Sequence, residues 1–226
     1  MRHLLDLYGV SDQRQREALI TLARSARQKG WWTKYQDVFL GSYVELEAEA
    51  SAIRVFEPVL VPGLLQTEAY TRALIRASLV VRDIEQRVVA RMQRQALLEG
   101  DGAPGLWAVI DEAALTRPVG GAATMREQLD WLIRARDQQN VTIQVIRTAQ
   151  GAHPGMDGSF VILDFANPDF FAPVVFLEHA TDGLYLEEPE EIARYTLMFD
   201  HLRAIALGPD ESVTLMETVK DRLDEQ

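Results

Sequence analysis

Apolar and polar positions in the first 98 residues repeat at the spacing of α-helices. Apolar residues recur three and four positions apart, which predicts amphipathic helices. The predicted helices are two within residues 4–29, followed by residues 45–52, 67–78 and 83–98. Gly9 suits the left-handed end of the first and Ser11 the N-cap of the second, while Asp83 with Gln86 fits a capping box. Two prolines and a glycine predict a turn between residues 56 and 63.

Beyond residue 105 the pattern changes to short β-rich runs. Strands are predicted at residues 106–110, 141–146, 160–165 and 174–178, with a further short strand at residues 184–186. Met125, Leu129 and Leu132 lie at helical spacing between the first two strands, which favours a parallel strand–helix–strand crossover. Two helices close the chain, the first opening at Pro189. The predicted class is α+β: a helical N-terminal part, a mixed sheet of about four to five strands flanked by helices, and two C-terminal helices.

Composition narrows the function classes. The chain is 47% hydrophobic and 25% charged, as globular proteins are, and it has no cysteine. Disulfides, thiolate metal sites and a cysteine nucleophile are therefore excluded. No apolar stretch approaches the roughly 20 residues that span a bilayer, and no signal peptide is evident. We expect a cytoplasmic protein without membrane contact.

Charge is unevenly distributed along the chain. Seven basic and three acidic side chains lie in residues 1–34, so this segment carries +4 and the remainder carries −15 of the net −11. Such asymmetry is typical of a DNA-facing segment joined to an acidic body, and it is also what a solvated helix face gives. The acidic body weighs against nucleic-acid binding, because that affinity comes from neutralised phosphates.

Catalytic motifs are not evident. The four histidines do not fall at metal-ligand spacing, and phosphate-binding and nucleophile-elbow motifs are missing, so no metal or cofactor is expected. Asp111 and Glu112 follow a predicted strand, where a carboxylate can act as a general base or simply cap a helix. Residues 151–158 form a glycine-rich loop in which His153 either contacts a ligand, as donor, acceptor or pH sensor, or closes a turn between two strands.

These features predict one ligand or partner site at the strand ends. Its carboxylates would suit a cationic or amine-bearing partner beside an aromatic wall. The predicted residues are Asp111, Glu112, His153 and Phe160, with Trp107 or Tyr185 as the wall.

Several short stretches, taken in order, resemble one family. They are residues 4–10 (LLDLYGV), 30–32 (GWW), 45–50 (ELEAEA), 56–58 (FEP), 61–67 (VPGLLQT), 107–115 (WAVIDEAAL), 118–120 (PVG), 141–145 (VTIQV), 151–158 (GAHPGMDG), 163–165 (LDF) and 185–191 (YLEEPEE). Together they resemble the DUF5753 family, the C-terminal region of actinobacterial Xre-type helix-turn-helix regulators, also described as antitoxin-like regulators of the Scr1 type and abundant in Streptomyces and its relatives.

The resemblance implies a domain division and a function. Residues 1–34 would be the remnant of a helix-turn-helix domain and its linker helix, and residues 35–226 the sensing or partner domain. The chain would be an effector- or partner-binding regulatory domain acting in development and secondary metabolism, binding DNA only through a missing N-terminal domain. A small DUF397-type protein, a small-molecule effector or a second copy of the chain is the expected partner. The alternatives are an enzyme recruited to act on a hydrophobic secondary metabolite and a purely structural dimerisation module.

Overall fold

The structure, a computed structural model, describes residues 2–25, 34–35, 42–78, 83–167, 171–179 and 182–224. The helices are α1 (Arg2–Leu7), α2 (Gln13–Ser25), α3 (Tyr43–Glu49), α4 (Glu68–Ala77), α5 (Ile84–Gln95), α6 (Glu112–Thr116), α7 (Ala122–Ala135), α8 (Pro189–Ile205) and α9 (Pro209–Asp224). The strands are β1 (Ala52–Glu57), β2 (Gly105–Asp111), β3 (Val141–Ile146), β4 (Phe160–Asp164), β5 (Val174–Glu178) and β6 (Gly183–Leu186). The GWW stretch at residues 30–32 lies outside the described residues.

Six strands form one mixed sheet in the order β3-β2-β1-β4-β5-β6. β1 pairs in parallel with β2, and β2 pairs in parallel with β3. β4, β5 and β6 continue the sheet from β1 as an antiparallel meander. The α+β class, the flanking helices and the two C-terminal helices are confirmed, and the strand count is one above the expected range.

The additional strand is β1, which lies in the middle of the sheet. The sequence predicted a helix over residues 45–52 and a turn from residue 56, but α3 ends at Glu49 and β1 begins at Ala52. Ile53 and Val55 are buried on one face and Phe56 on the other. A strand buried on both faces loses the alternation by which strands are recognised.

The predicted crossover is confirmed. β2 and β3 are parallel, with Leu106 opposite Val141, and α7 lies in the chain between them. α7 buries Met125, Leu129 and Leu132, the residues whose spacing predicted it. The helix therefore follows directly from the period of its apolar side chains.

Helices cover both faces of the sheet. One face, here called the α7 face, packs its apolar side chains with those of α3, α7 and α9. The opposite face, here called the α8 face, packs against Ile192, Phe199 and Leu202 of α8. Within the described part of the chain, no helix combines the length and apolar character needed to cross a membrane.

Two predicted caps are wrong. Asp83 precedes α5 but has a φ of 52° and makes no side-chain capping bond, so the capping box with Gln86 does not form. Asp12, not Ser11, caps α2, because its Oδ1 accepts the N–H of Gln15 at 2.7 Å. Gly9 does take the left-handed conformation expected of it, with a φ of 68°.

Candidate functional site

One edge of the sheet collects the ends of several strands. β1 ends at Glu57, β2 at Asp111 and β3 at Ile146, and their parallel pairing puts these ends on a common edge. β4 runs the opposite way and therefore begins there, at Phe160. Ligand sites of open sheets with parallel strands usually lie at such a carboxyl edge.

Asp111 and His153 meet at this edge. His153 Nε2 lies 3.3 Å from Asp111 Oδ2, and the other Asp111 oxygen accepts the N–H of Ala113 at 2.8 Å, which caps α6. His153 Nδ1 accepts the N–H of Gly155 at 3.2 Å. Because Nδ1 accepts, the neutral ring carries its proton on Nε2 and donates it to Asp111.

The loop of residues 147–159 is fixed to the same edge by two further contacts. Glu112 Oε2 accepts the N–H of Thr148 at 2.9 Å. Gly155 lies so close to Phe56 that a Cβ there would come within 2.3 Å of the Phe56 ring, and the same ring meets His153 edge-on at 5.8 Å. Only glycine fits at position 155, because any side chain would collide with the core.

The aromatic residues of the predicted site do not join this group. Phe160 is buried under α8, with its ring centroid 5.8 Å from that of Phe56. Trp107 precedes Asp111 by four residues on the same face, about 13 Å along the strand, and donates to Gln144 at 2.9 Å. Tyr185 packs with the α7 face, on the other side of the sheet. The structure thus brings together Asp111, Glu112 and His153, and whether any of the six residues binds a ligand stays a prediction.

The polar side-chain atoms of the Asp111–His153 pair are engaged in contacts within the protein. Both ring nitrogens and both Asp111 oxygens make contacts inside the protein. A general base needs a free nitrogen facing its substrate, and a metal ligand needs a free lone pair. Among the described residues, no group of three His, Asp or Glu side chains is placed to hold a metal ion.

A second cluster lies on the α7 face and was not predicted from the sequence. Arg94 of α5 binds Glu47 of α3 through two hydrogen bonds of 2.5 and 2.7 Å, and Tyr43 donates its hydroxyl proton to Glu47 at 2.8 Å. The guanidinium of Arg94 also lies 5.1 Å from the centre of the Tyr43 ring. Glu47 is 1% exposed and Arg94 12%, so this is a buried, bidentate ion pair.

Electrostatics within this pair follow from burial and proximity. Burial, and then the Glu47 carboxylate, raise the pKa of the Tyr43 hydroxyl, which stays protonated. Burial, the largest single influence, lowers the pKa of Arg94, but the charge and hydrogen bonds of Glu47 together with Tyr43 and Glu178 outweigh it, and the net direction is upward. Arg94 therefore keeps its positive charge where it contacts Glu47.

Glu57, the last residue of β1, has no such partner. Its carboxyl makes no hydrogen bond with any described residue, and burial, followed by the negative charge of Glu178, raises its pKa to about 8, with Arg91 acting in the opposite direction. Arg91 has its own pKa lowered by burial and by Arg94, and makes one long hydrogen bond, from Nη1 to Gln66 Oε1 at 3.4 Å. At pH 7, below this pKa, the protonated form of Glu57 predominates.

A sequence signal for this second cluster did exist. Arg87, Arg91 and Arg94 recur at the i, i+4, i+7 spacing that places side chains on one side of a helix. Basic residues at that spacing usually form a solvated face, and only the packing of α5 shows that all three are partly buried.

Comparison with protein families fits the resemblance described above. The family described as "Domain of unknown function (DUF5753)" matches residues 40–218. The chain belongs to the DUF5753 family. Neither a curated protein nor a solved structure matches this DUF5753 chain. Membership establishes relationship, and the family description assigns no activity from which a role could be carried over.

Proposed function

We propose that this DUF5753 chain is the effector- or partner-binding regulatory domain of a cytoplasmic helix-turn-helix transcriptional regulator. The observation that carries the proposal is the internal use of the ionisable groups at the carboxyl edge. Asp111 and His153 contact each other and each accepts a backbone N–H, while Glu112 accepts the N–H of Thr148. Side chains used in this way support a rigid loop for recognition.

The surface offered for recognition is the outer side of the loop of residues 147–159. Met156 projects from it with 69% of its surface exposed. Methionine is common at protein contact surfaces because its flexible, polarisable side chain adapts to different partners. The proposed occupant is a small DUF397-type protein or a small-molecule effector, and a second copy of the chain is the third possibility considered.

DNA contact is assigned to a helix-turn-helix module and not to residues 35–226. The portion of the chain after residue 34 carries −15. A negative surface of this size repels the phosphate backbone, on which nearly all nonspecific affinity depends. Binding of the effector or partner to this domain would then regulate DNA binding by a separate helix-turn-helix module.

Catalysis on a hydrophobic metabolite is the alternative, and the Asp111–His153 pair is the feature that would support it. An aspartate in contact with a histidine also occurs in the catalytic triads of hydrolases, where the aspartate orients the histidine that acts as the base. In this chain the second ring nitrogen, Nδ1, already accepts the N–H of Gly155 at 3.2 Å. This contact favours binding over catalysis.

The test separates the loop surface from its support. Met156→Asp changes the exposed surface only, while His153→Ala removes the support, and Leu197→Asp is the matched control because Leu197 is 72% exposed on α8. We expect Met156→Asp to keep the thermal stability of the parent and to lose complex formation with a co-expressed DUF397-type protein or a co-purifying metabolite, as read by native mass spectrometry. His153→Ala should lose both, and the control neither.

Retention of the complex by Met156→Asp and His153→Ala alike would refute the proposed surface. Turnover of a metabolite by the parent, abolished in His153→Gln, would replace the proposal with the enzymatic alternative.

A further inference from the structure

A hollow lies beside the outer edge of β3 and is lined by residues of α7, β3 and α9. We propose that it binds a small neutral amide whose N–H and C=O groups point to the same side, as they do in a lactam ring. The hollow contacts residues 141–143, at the amino-terminal end of β3, whereas the loop of residues 147–159 follows the other end of the strand at Ile146. The site is therefore separate from the loop surface proposed above.

β3 is an edge strand of the sheet, and its register shows which of its backbone groups face outward. The N–H of Leu106 in β2 donates to the carbonyl of Asn140 at 2.7 Å, so this carbonyl faces the sheet. Backbone groups alternate in direction along a strand, so those of Val141, Ile143 and Val145 point away from β2. They need hydrogen-bond partners from outside the sheet.

The outward groups on either side of Ile143 have such partners. Val141 donates its N–H to the carbonyl of Gln138 at 3.1 Å. Val145 donates its N–H to Ser212 Oγ at 3.0 Å and accepts the N–H of Leu207 at 2.9 Å. The start of α9 and the turn before it therefore cover the edge of β3 at Val145.

Ile143 interrupts this covering. None of the residues that the structure describes accepts its N–H or donates to its carbonyl, although Ile143 is only 5% exposed. Backbone groups buried to this extent are nearly always hydrogen-bonded. The edge of β3 thus presents one donor and one acceptor that point the same way and can both be met by a bound molecule.

The hollow lies at this interruption. It has a volume of about 220 Å³, and it touches Val141, Thr142 and Ile143. Because side chains of consecutive strand residues point to opposite faces of the sheet, a space in contact with all three lies at the open edge of the strand. Helices α7 and α9 supply the apolar part of the wall, which consists of Leu132, Val213 and Met216.

Charge at the hollow is balanced. Arg136 and Asp210 are the charged side chains among its lining residues, and they form an ion pair at 3.0 Å. An ammonium or carboxylate ligand would lose its hydration here without gaining an unpaired opposite charge from the wall. The apolar wall and the balanced pair therefore favour a neutral ligand.

The direction of the Ile143 groups selects the kind of amide. Its N–H and C=O point to one side, so the complementary ligand offers an acceptor and a donor on one side. A lactam does this because its ring holds the amide cis, whereas a linear secondary amide is trans and directs the two groups apart.

A second β-strand would offer the same pair of groups but does not fit the edge. Leu207 and Ser212 occupy the edge at Val145, and the open stretch from Val141 to Ile143 spans only about 7 Å. The volume of the hollow is also below the roughly 300 Å³ at which pockets for drug-sized ligands begin. A single ring is therefore the expected occupant.

The experiment follows the Ile143 amide proton by NMR in the full chain. The chain is labelled with ¹⁵N-isoleucine, and the Ile143 signal is assigned by its disappearance in Ile143→Val. The probes are δ-valerolactam, its N-methyl derivative, and cyclohexanone, which has the same ring size but only an acceptor. Nα-acetyl-glycine N-methylamide is the linear amide that stands for a peptide segment.

Two variants test whether the hollow is the site. Val213→Met adds side-chain volume at the wall of the hollow. Val219→Met makes the same change at another buried position of α9 that is not among the lining residues, and it is the matched control. Thermal unfolding shows that each variant is folded before it is titrated.

We expect δ-valerolactam to shift the Ile143 amide proton downfield in a saturable manner. The N-methyl derivative should bind about tenfold more weakly, because it lacks the donor and leaves the Ile143 carbonyl unpaired. Val213→Met should lose the response, and Val219→Met should keep it.

Three results would overturn the inference: no response of Ile143 to the lactam in the parent, equal binding of the lactam and cyclohexanone, or a response that persists in folded Val213→Met. Tighter binding of the linear amide than of the lactam would replace the proposed ligand with a peptide segment. If Val213→Met does not fold, the comparison of the four probes on the parent decides.

Discussion

The Glu47–Arg94 pair makes the sharpest prediction about stability. Glu47 is 1% exposed, and Arg94 provides two of its three hydrogen bonds. Replacing Arg94 with Met keeps most of the side-chain volume and leaves a carboxylate in the core with only the Tyr43 hydroxyl. Breaking a buried pair in this way costs about 3–5 kcal/mol. For a chain of this length the loss corresponds to a fall in Tm of roughly 6–20 °C.

A double-mutant cycle separates the pair from the packing around it. Glu47→Gln combined with Arg94→Met removes both charges, so no buried charge is left without a partner. The double variant should therefore be more stable than Arg94→Met alone, by about 1–3 kcal/mol. Equilibrium unfolding in urea measures all three variants at one pH.

The control is an exposed pair of the same chemistry. Arg136 and Asp210 are 3.0 Å apart with exposed fractions of 51% and 86%. Arg136→Met should change stability by less than about 1 kcal/mol, because solvent screens such pairs. If Arg94→Met costs no more than this control, or if the double variant loses the sum of the two single losses, the buried pair is not coupled as the structure indicates.

Three other predictions concern single residues and the whole chain. Glu57 has a pKa of about 8 in the fold against 4.5 in the unfolded chain, so its ionisation opposes folding increasingly as the pH rises between those values. In urea titrations the free energy of unfolding of Glu57→Gln should equal that of the parent near pH 4 and exceed it by roughly 2–4 kcal/mol at pH 8. An equal difference at both pH values would contradict this. Gly155→Ala should lower the free energy of unfolding by about 1–3 kcal/mol, because its Cβ would collide with Phe56. Gly105→Ala, whose Cβ would meet nothing within 4 Å, should lower it much less, and equal Tm values for the two variants would exclude the collision. Mobility-shift assays at physiological salt should show no nanomolar, sequence-dependent binding of duplex DNA by this chain, because its body carries −15, and a specific shift would refute that expectation.

The sequence predicted which candidate residues lie together only where they are near one another in the chain or at the ends of predicted strands. Asp111 and Glu112 are consecutive, and His153 follows the next strand of the crossover, so their meeting at one edge was predictable. Tyr185 was assigned to the same site, but it lies on the opposite face. The side chains of a strand alternate between the two faces of the sheet, and the sequence shows this alternation. It does not show which of the two sets faces the same side as a given residue on a distant strand.

Local patterns alone determined the helices that pack one face, the crossover from β2 to β3 and the opening of α8 at Pro189. These features depend on periods of 3.6 or 2 and on the backbone limits of proline and glycine, which every residue carries with it. Tertiary structure alone decided that β1 occupies the middle of the sheet and that Glu57 and Glu178 share a row across β4. Burial on both faces erases the alternation of β1, and the charge state of Glu57 depends on neighbours more than 30 residues away in the chain. Register between strands, which places those neighbours, exists only once the chain has folded.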